Sequence, residues 1–225
     1  MNKIWYLSPS CQAANIGING YGSEKEQMYL LMEAIVPHLD RAGVSFHMAD
    51  KYLPIEKRCE ESNQMGSVFH FALHSNAGGG GAACGPVAFY YSEAGKQFGQ
   101  RIVDALLELG QESNRSEHLI RRKDLCELRK TKAPALLLEV DFHDSPKGVT
   151  FISRRRAEIA EAIARVIIEA DGKEFVPATP GENLDEAVRL GLFPKNTDWS
   201  SPMTKEDAAI LAVRLKHLLE RGGDK

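Results

Sequence analysis

Residues 134–142 read PALLLEVDF, and residues 68–74 read VFHFALH. Both are short apolar runs bounded by turn-forming residues, so both read as buried β-strands. Three weaker runs of the same kind are IWYLS at 4–8, SFHMA at 45–49 and VAFYYS at 87–92. Between them the apolar period changes from that of a strand to that of a helix. From Glu24 to Arg41, the residues Met28, Leu31, Met32, Ile35 and Leu39 fall on one stripe, with Ser23 placed to cap the helix and Gly43 to stop it. Residues 93–109 put Phe98, Ile102, Ala105, Leu106 and Leu109 on a second stripe, and residues 154–170 put Ile159, Ile163, Val166 and Ile167 on a third. Strands alternating with helices of this length imply βαβ units, and so an α/β fold with a mostly parallel or mixed twisted sheet covered by helices. Ligand sites in such sheets form at the carboxyl ends of strands. His74 and Glu139 each fall at or near such an end, and Ser8-Pro9-Ser10 closes the first strand.

The chain of 225 residues, 43% hydrophobic and 26% charged, suffices for one domain of ordinary size and a small appendage. A net charge of -3 leaves no basic field of the kind that nucleic-acid binding relies on, so no nucleic-acid partner is expected. No run approaches the roughly 18 apolar residues of a membrane span. The first residues, MNKIWYLSPS, lack the apolar core of an export signal, so the expectation is a protein made in the cytoplasm without a signal peptide. The four cysteines Cys11, Cys59, Cys84 and Cys126 form no CxxC pair and read as reduced thiols.

The pattern changes near residue 172. The stretch GKEFVPATPGE has prolines, glycines and no period, so residues 1–172 read as the main domain and 173–182 as a linker. Residues 183–225 then read as two amphipathic helices, the second opened by Thr204 and Asp207 in an acidic variant of the capping box. So short a helical hairpin buries little surface by itself. It is expected to serve wall binding, dimerisation or packing.

Chemistry enters through a few residues. His38, His47, His118 and His217 read as packing or solvated side chains. His70 and His74 stand four apart in one strand and so face the same side of the sheet. His74 is the better ligand candidate because it leads into SNAGGGG, a loop with few side chains to occlude a substrate. Glu139 is a carboxylate among leucines and valine, and must be paired with a buried arginine, metal-bound or protonated. Burial would raise its pKa, as a general base requires. Glu24 opens the first long helix after SCQAANIGINGYGS, where it either complements the helix dipole or reaches the same sheet end.

From about residue 3 to 170 the chain resembles the zinc-dependent N-acetylmuramoyl-L-alanine amidases, the group of cell-separation amidases and phage endolysins. The matching landmarks are the first strand and loop, the helix-opening glutamate in GYGSEKEQM, the FALHSNAGGGG strand and loop, and LRKTKAPALLLEVDFHDSP. The resemblance implies an α/β fold with one zinc ion held by two histidines and a glutamate, plus a separate catalytic glutamate. By position it makes His74 and Glu24 zinc ligands, with Glu26 the alternative to Glu24, and Glu139 the catalytic base. Arg129 would orient the stem peptide or the oxyanion, or would serve as a surface charge or a partner of Asp141. The implied function is a peptidoglycan hydrolase that cuts the amide between N-acetylmuramic acid and L-alanine with zinc-activated water. Such an enzyme would be a phage endolysin or bacterial autolysin that reaches the wall after holin-mediated release or mother-cell lysis, and it would form a homodimer if its C-terminal helices paired.

One position departs from the pattern. The family carries a Gly-His pair after the first strand, whereas this chain reads LSPSCQ at 7–12. Zinc favours imidazole, thiolate and carboxylate over a hydroxyl or an amide carbonyl. Ser10, Cys11 and Gln12 are the replacements at hand in the loop. His143 is another, since it lies four residues beyond Glu139 and shares its face if the strand continues. Two other functions stay open beside the amidase: a noncatalytic wall-binding or regulatory protein that has lost the metal, and a zinc peptidase cutting peptidoglycan cross-links.

Overall fold

The structure, a computed structural model, describes residues 3–78 and 80–177. In chain order its strands are β1 (Trp5–Pro9), β2 (Ile16–Gly17), β3 (Gly22–Ser23), β4 (Phe46–Met48), β5 (Phe69–Asn76), β6 (Val87–Tyr90), β7 (Leu119–Arg121) and β8 (Ala135–Phe142). Its helices are α1 (Glu24–Arg41), α2 (Ile55–Met65), α3 (Glu93–Glu108), α4 (Cys126–Arg129), α5 (Pro146–Arg154) and α6 (Arg156–Ala170). A six-stranded sheet runs β4-β1-β5-β8-β6-β7. It is mixed: β1 lies parallel to β4 and β5, and β5 parallel to β8, while β6 runs antiparallel to β8 and parallel to β7. The expected α/β architecture is present, and its two decisive strands lie side by side at its centre with His74 opposite Glu139.

Side-chain alternation divides the sheet into two chemically different faces. Trp5 and Leu7 of β1, Phe69, Phe71 and Leu73 of β5, and Leu136, Leu138 and Val140 of β8 pack in one core with the stripes of α1, α3 and α6. On α1 this stripe is Met28, Leu31, Met32, Ile35 and Leu39, all fully buried. The opposite residues, Tyr6 and Ser8 of β1, His70, Ala72 and His74 of β5, and Ala135, Leu137 and Glu139 of β8, face the other way. There the apolar cluster is small, consisting of Ala72, Leu128, Ala135 and Leu137. The rest of that face is polar, and it carries the site.

Local chemistry sets the element ends. Ser23 caps α1 by accepting from the Glu26 amide at 3.2 Å, and Glu26 returns a carboxylate oxygen to the Ser23 amide at 3.0 Å. This capping box occupies Glu26. The turn between β2 and β3 contains Asn19 (φ 53°) and Gly20 (φ 75°), the left-handed pair that a two-residue hairpin connection favours.

The helix expected over 154–170 is present as α6, and a further short helix, α5, precedes it. Pro146 opens α5 directly after the turn that follows β8, and Arg155 (φ -115°, ψ 22°) breaks the run before α6. Its guanidinium donates to the Leu109 carbonyl and to Glu158. Helix α2 has no apolar stripe to betray it: its buried residues are Arg58, Cys59 and Ser62.

Gly148 shows how closely α5 sits on the end of β8, since a Cβ there would lie 2.2 Å from the Phe142 carbonyl oxygen and 2.8 Å from Asp141 Oδ1. Both obstacles are held by the sheet end and cannot swing away. Gly148→Ala is therefore expected to cost about 1–3 kcal/mol, read as a lowered midpoint in urea unfolding.

No helix among the described residues is long and apolar enough to cross a membrane. The first compact unit ends at Val176. The two-helix module expected at 183–225, with its wall-binding or dimerising roles, lies outside the described residues.

Candidate active site

The polar face of the sheet ends in a cluster of side chains from four pieces of chain. These are the loop after β1, the first turn of α1, the end of β5 and the middle of β8, with the single turn of α4 beneath them. His74 is its centre. Its Nδ1 lies 2.8 Å from Glu24 Oε1 and 3.3 Å from the Gln12 side-chain nitrogen, while its Nε2 lies 3.5 Å from Glu127 Oε2. Glu24 reaches this point because it is the first residue of α1, anchored where its amide donates to the Asn15 carbonyl at 2.8 Å. Asn15 Nδ2 donates to the other Glu24 oxygen at 2.7 Å and to Gln12 Oε1 at 2.9 Å. Ser10 is buried beside them and accepts from the Gln12 amide at 3.2 Å.

Charge is balanced unevenly. Burial works to raise the Glu24 pKa, but hydrogen bonds from His74, Asn15 and Ser10 together with the histidine's charge hold it below the usual carboxylate range. Burial likewise works to lower His74, yet its bonds to Glu127 and Glu24 and the charge of Glu139 push it up to about 10. Glu127 is held well below the carboxylate range, because bonds from His70 and His74 outweigh its burial.

Glu139 behaves oppositely. Burial pushes it up to about 7, with the His74 charge pulling it down and the Glu24 charge adding to the rise. The side chain as a whole is half-buried, but its Oε2 is enclosed and has no hydrogen-bond partner. A buried arginine does exist nearby, and it is spent elsewhere: Arg58 donates to Ser8 Oγ at 3.2 Å, to Tyr29 Oη at 3.1 Å and to the carbonyls of Pro9, Asp50 and Leu53. A carboxyl near neutrality with a free oxygen, beside two ligand-type side chains, is equipped to take and return a proton.

Of the residues singled out from the sequence, the structure gathers Glu24, His74, Gln12, Ser10 and Glu139. Glu26 is committed to the helix cap. His143 is elsewhere: the β5–β8 register shifts after His74, so that Asn76 opposes Phe142 and the parity of the strand is broken. Its Nδ1 lies 3.0 Å from Ser75 Oγ and its ring stacks on Tyr21, so it is not brought to the Glu24–His74 pair. Arg129 is exposed, two residues around the turn from Glu127. Asp141 pairs with Gln111 at 2.7 Å and with the Gly85 amide at 3.0 Å rather than with Arg129. All four cysteines are free thiols; Cys59 and Cys84 are buried, Cys11 and Cys126 half-buried.

Sequence reasoning passed over Glu127, Asn15 and Arg58. The signal for Glu127 is an acid set between Leu125 and Leu128, shortly before the buried strand PALLLEVDF.

A carboxyl raised to about 7 beside a histidine–carboxylate pair, at the strand ends of a mixed α/β sheet, has the groups that hydrolysis needs. Residues 13–169 match the N-acetylmuramoyl-L-alanine amidase family (Amidase_3), and the chain belongs to that family, which acts on peptidoglycan. Solved structures of similar fold include the catalytic domain of CwlV, an N-acetylmuramoyl-L-alanine amidase from Bacillus (Paenibacillus) polymyxa var. colistinus, at 19% identity and TM-score 0.65 over 75% of this chain and 97% of that one. The amidase AmiC2 of Nostoc punctiforme aligns at 17% identity and TM-score 0.67 over 75% of this chain and 96% of that one. The catalytic domain of the CD27L endolysin, which targets Clostridia difficile, aligns at 19% identity and TM-score 0.62 over 79% of this chain and all of that one, 100%. No curated protein matches the chain at the level of sequence.

Proposed function

We propose that this chain hydrolyses the amide joining the lactyl group of N-acetylmuramic acid to L-alanine, with Glu139 as general base and acid and a zinc ion held by His74, Glu24 and Gln12. The observation that carries the reading is the unpartnered Glu139 oxygen beside the 2.8 Å His74–Glu24 contact.

Among the described residues no group of three His, Cys, Asp or Glu side chains converges on one point. A catalytic zinc keeps three protein ligands and one open position. His74 Nδ1 and Glu24 Oε1 supply two of the three, and the Gln12 amide, whose nitrogen lies 3.3 Å from the same atom, supplies a neutral third only by turning its oxygen inward and giving up the bond that oxygen accepts from Asn15. The set fits, with one weak donor. Zinc, when bound, contributes Lewis-acid polarisation and a more acidic water.

The remaining steps belong to the chain. Glu139 as carboxylate accepts a proton from the water whose oxygen attacks the lactyl carbonyl carbon. It then delivers that proton to the departing nitrogen, releasing a lactyl carboxylate and the free amine of L-alanine. Arg129, exposed at the end of α4, is assigned to the acidic groups of the stem peptide. The SNAGGGG loop leaves the approach free of bulky side chains. The fold shared with an endolysin catalytic domain supports a wall-lytic role, as endolysin or autolysin, exercised once the protein has reached the wall.

The test is clearing of isolated cell walls by the purified zinc-loaded protein, with identification of the amino groups that appear. The expected product is free L-alanine amino termini. New amino termini on other residues would make the protein a cross-link peptidase, and zinc-free protein with no clearing would make it a noncatalytic wall binder. Gln12→Ala is expected to weaken zinc about tenfold in competition with a chromophoric chelator.

A further inference from the structure

Under this site lies a second buried network that the reaction itself does not use. Glu127 is 3% exposed, and its carboxylate is met by His70 Nε2 at 3.0 Å, by the hydroxyl of Ser8 and, at 3.5 Å, by His74 Nε2. It is held on rigid ground. The neighbouring Leu128 packs in the cluster with Ala72, Ala135 and Leu137, Thr131 Oγ1 donates to the Glu127 carbonyl at 2.7 Å, and Asn63 of α2 donates to the Lys130 carbonyl at 2.8 Å. Arg58, on the far side of Ser8, completes the row.

The hydrogen-bond chemistry of this row has one consistent reading. An ionised carboxylate only accepts, so each group facing Glu127 must present a hydrogen. His70 therefore presents a hydrogen from Nε2, while its Nδ1 is buried without a partner. Ser8 donates its hydroxyl to Glu127 and so accepts from Arg58. His74 faces carboxylates from both nitrogens, Glu127 at 3.5 Å from Nε2 and Glu24 at 2.8 Å from Nδ1, so in the metal-free protein both nitrogens carry hydrogen. A metal held jointly with Glu24 would displace the Nδ1 hydrogen and leave the one on Nε2 facing Glu127. A metal takes the unprotonated nitrogen, and which one that is depends on the bond made by the other.

We propose that Glu127 is the positioning residue of this site: facing His74 Nε2 at 3.5 Å, it keeps a hydrogen on that nitrogen, leaves Nδ1 as the ligating one and holds the ring with that atom turned to Glu24 and Gln12. The inference rests on the zinc reading of the site and adds what sets the tautomer and the ring angle. His70, Ser8 and Arg58 keep the carboxylate ionised and aimed.

The decisive experiment compares zinc affinity, by chelator competition, in the wild type, Glu127→Gln, Glu127→Asp and the surface control Lys130→Gln. In Glu127→Gln the amide can present its NH2 group to His74 Nε2, which favours the wrong tautomer. Zinc is expected to bind about 10–100-fold more weakly while the near-UV circular dichroism is unchanged. Glu127→Asp, which keeps the charge, recovers part of the affinity, and Lys130→Gln keeps all of it. Equal affinity in the wild type and a folded Glu127→Gln overturns the positioning role and leaves the amidase reading standing. A wild type that binds no zinc overturns the metal site itself. A readout that needs no variant is the imidazole nitrogen resonances of the zinc-loaded wild type: a protonated Nε2 and a metal-shifted Nδ1 on His74 are expected, and the reverse pattern overturns the proposal.

Discussion

Glu139→Gln is expected to lower turnover on isolated cell walls by about 100- to 10,000-fold, to leave zinc affinity unchanged, and to stabilise the fold above pH 7. The kinetic loss follows because an amide cannot take a proton from water or return one to the leaving nitrogen. The gain in stability follows from the same burial that equips the residue for its role. Glu139 has a carboxyl raised from 4.5 to about 7 in the folded protein. Between those values the native state holds more protons than the unfolded chain, so stability falls as pH rises through that window and stays reduced above it. Because the side chain is half-open to solvent, the penalty relieved by Gln is about 1–2 kcal/mol rather than the full value of the shift. Urea unfolding at pH 5 and pH 8 checks it: the variant should match the wild type at the lower pH and exceed it at the higher. Full turnover in the variant would remove Glu139 from the mechanism.

His74→Ala is expected to abolish zinc binding and to destabilise the metal-free protein by about 3–5 kcal/mol. Without the ring, Glu24 and Glu127 remain buried and lose the group that separates and neutralises them. The pH dependence carries the signature. In the metal-free protein His74 is raised from 6.5 to about 10, so its contribution is complete below pH 6.5 and is lost as pH climbs through 10. Glu24 and Glu127 are lowered from 4.5, so theirs is complete above pH 4.5 and is lost in acid. Metal-free wild type should therefore be most stable between about pH 5 and 6.5, and His74→Ala should flatten the alkaline side of that curve. Unfolding midpoints of the two proteins measured from pH 4 to 10 decide the matter; parallel curves would show that the His74 pairings contribute nothing.

Much of this site was readable before any coordinates. The alternation of PALLLEVDF with its flanking helical stripes named the fold, and an isolated acid among leucines marked Glu139 as a group that burial would perturb. Glu24 could be read as a helix opener, but choosing it over Glu26 needed the cap geometry, since both acids sit in the first turn and only one can serve Ser23. His143 could not be judged from spacing, because a period of two holds only while the strand is regular. The register shift between His74 and Asn76 ends that regularity. Helix α2 escaped notice for a related reason. Its inward face is Arg58, Cys59 and Ser62, and apolar periodicity has nothing to say about a helix that buries polar groups.

The sequence by itself determined the layers and the reactive pair, because strand and helix periods and a carboxylate in an apolar run are local properties of the chain. Only the tertiary structure decided which groups complete the site. Glu127 lies far along the chain from Ser8, His70 and His74, and its part is played through hydrogen bonds that exist only once α4 is laid against the sheet. Gln12 stands in the site and His143 outside it because the loop after β1 folds inward while β8 slips its register. Which nitrogen of a histidine is left bare is set by what faces the other one, and that is a fact of packing rather than of sequence.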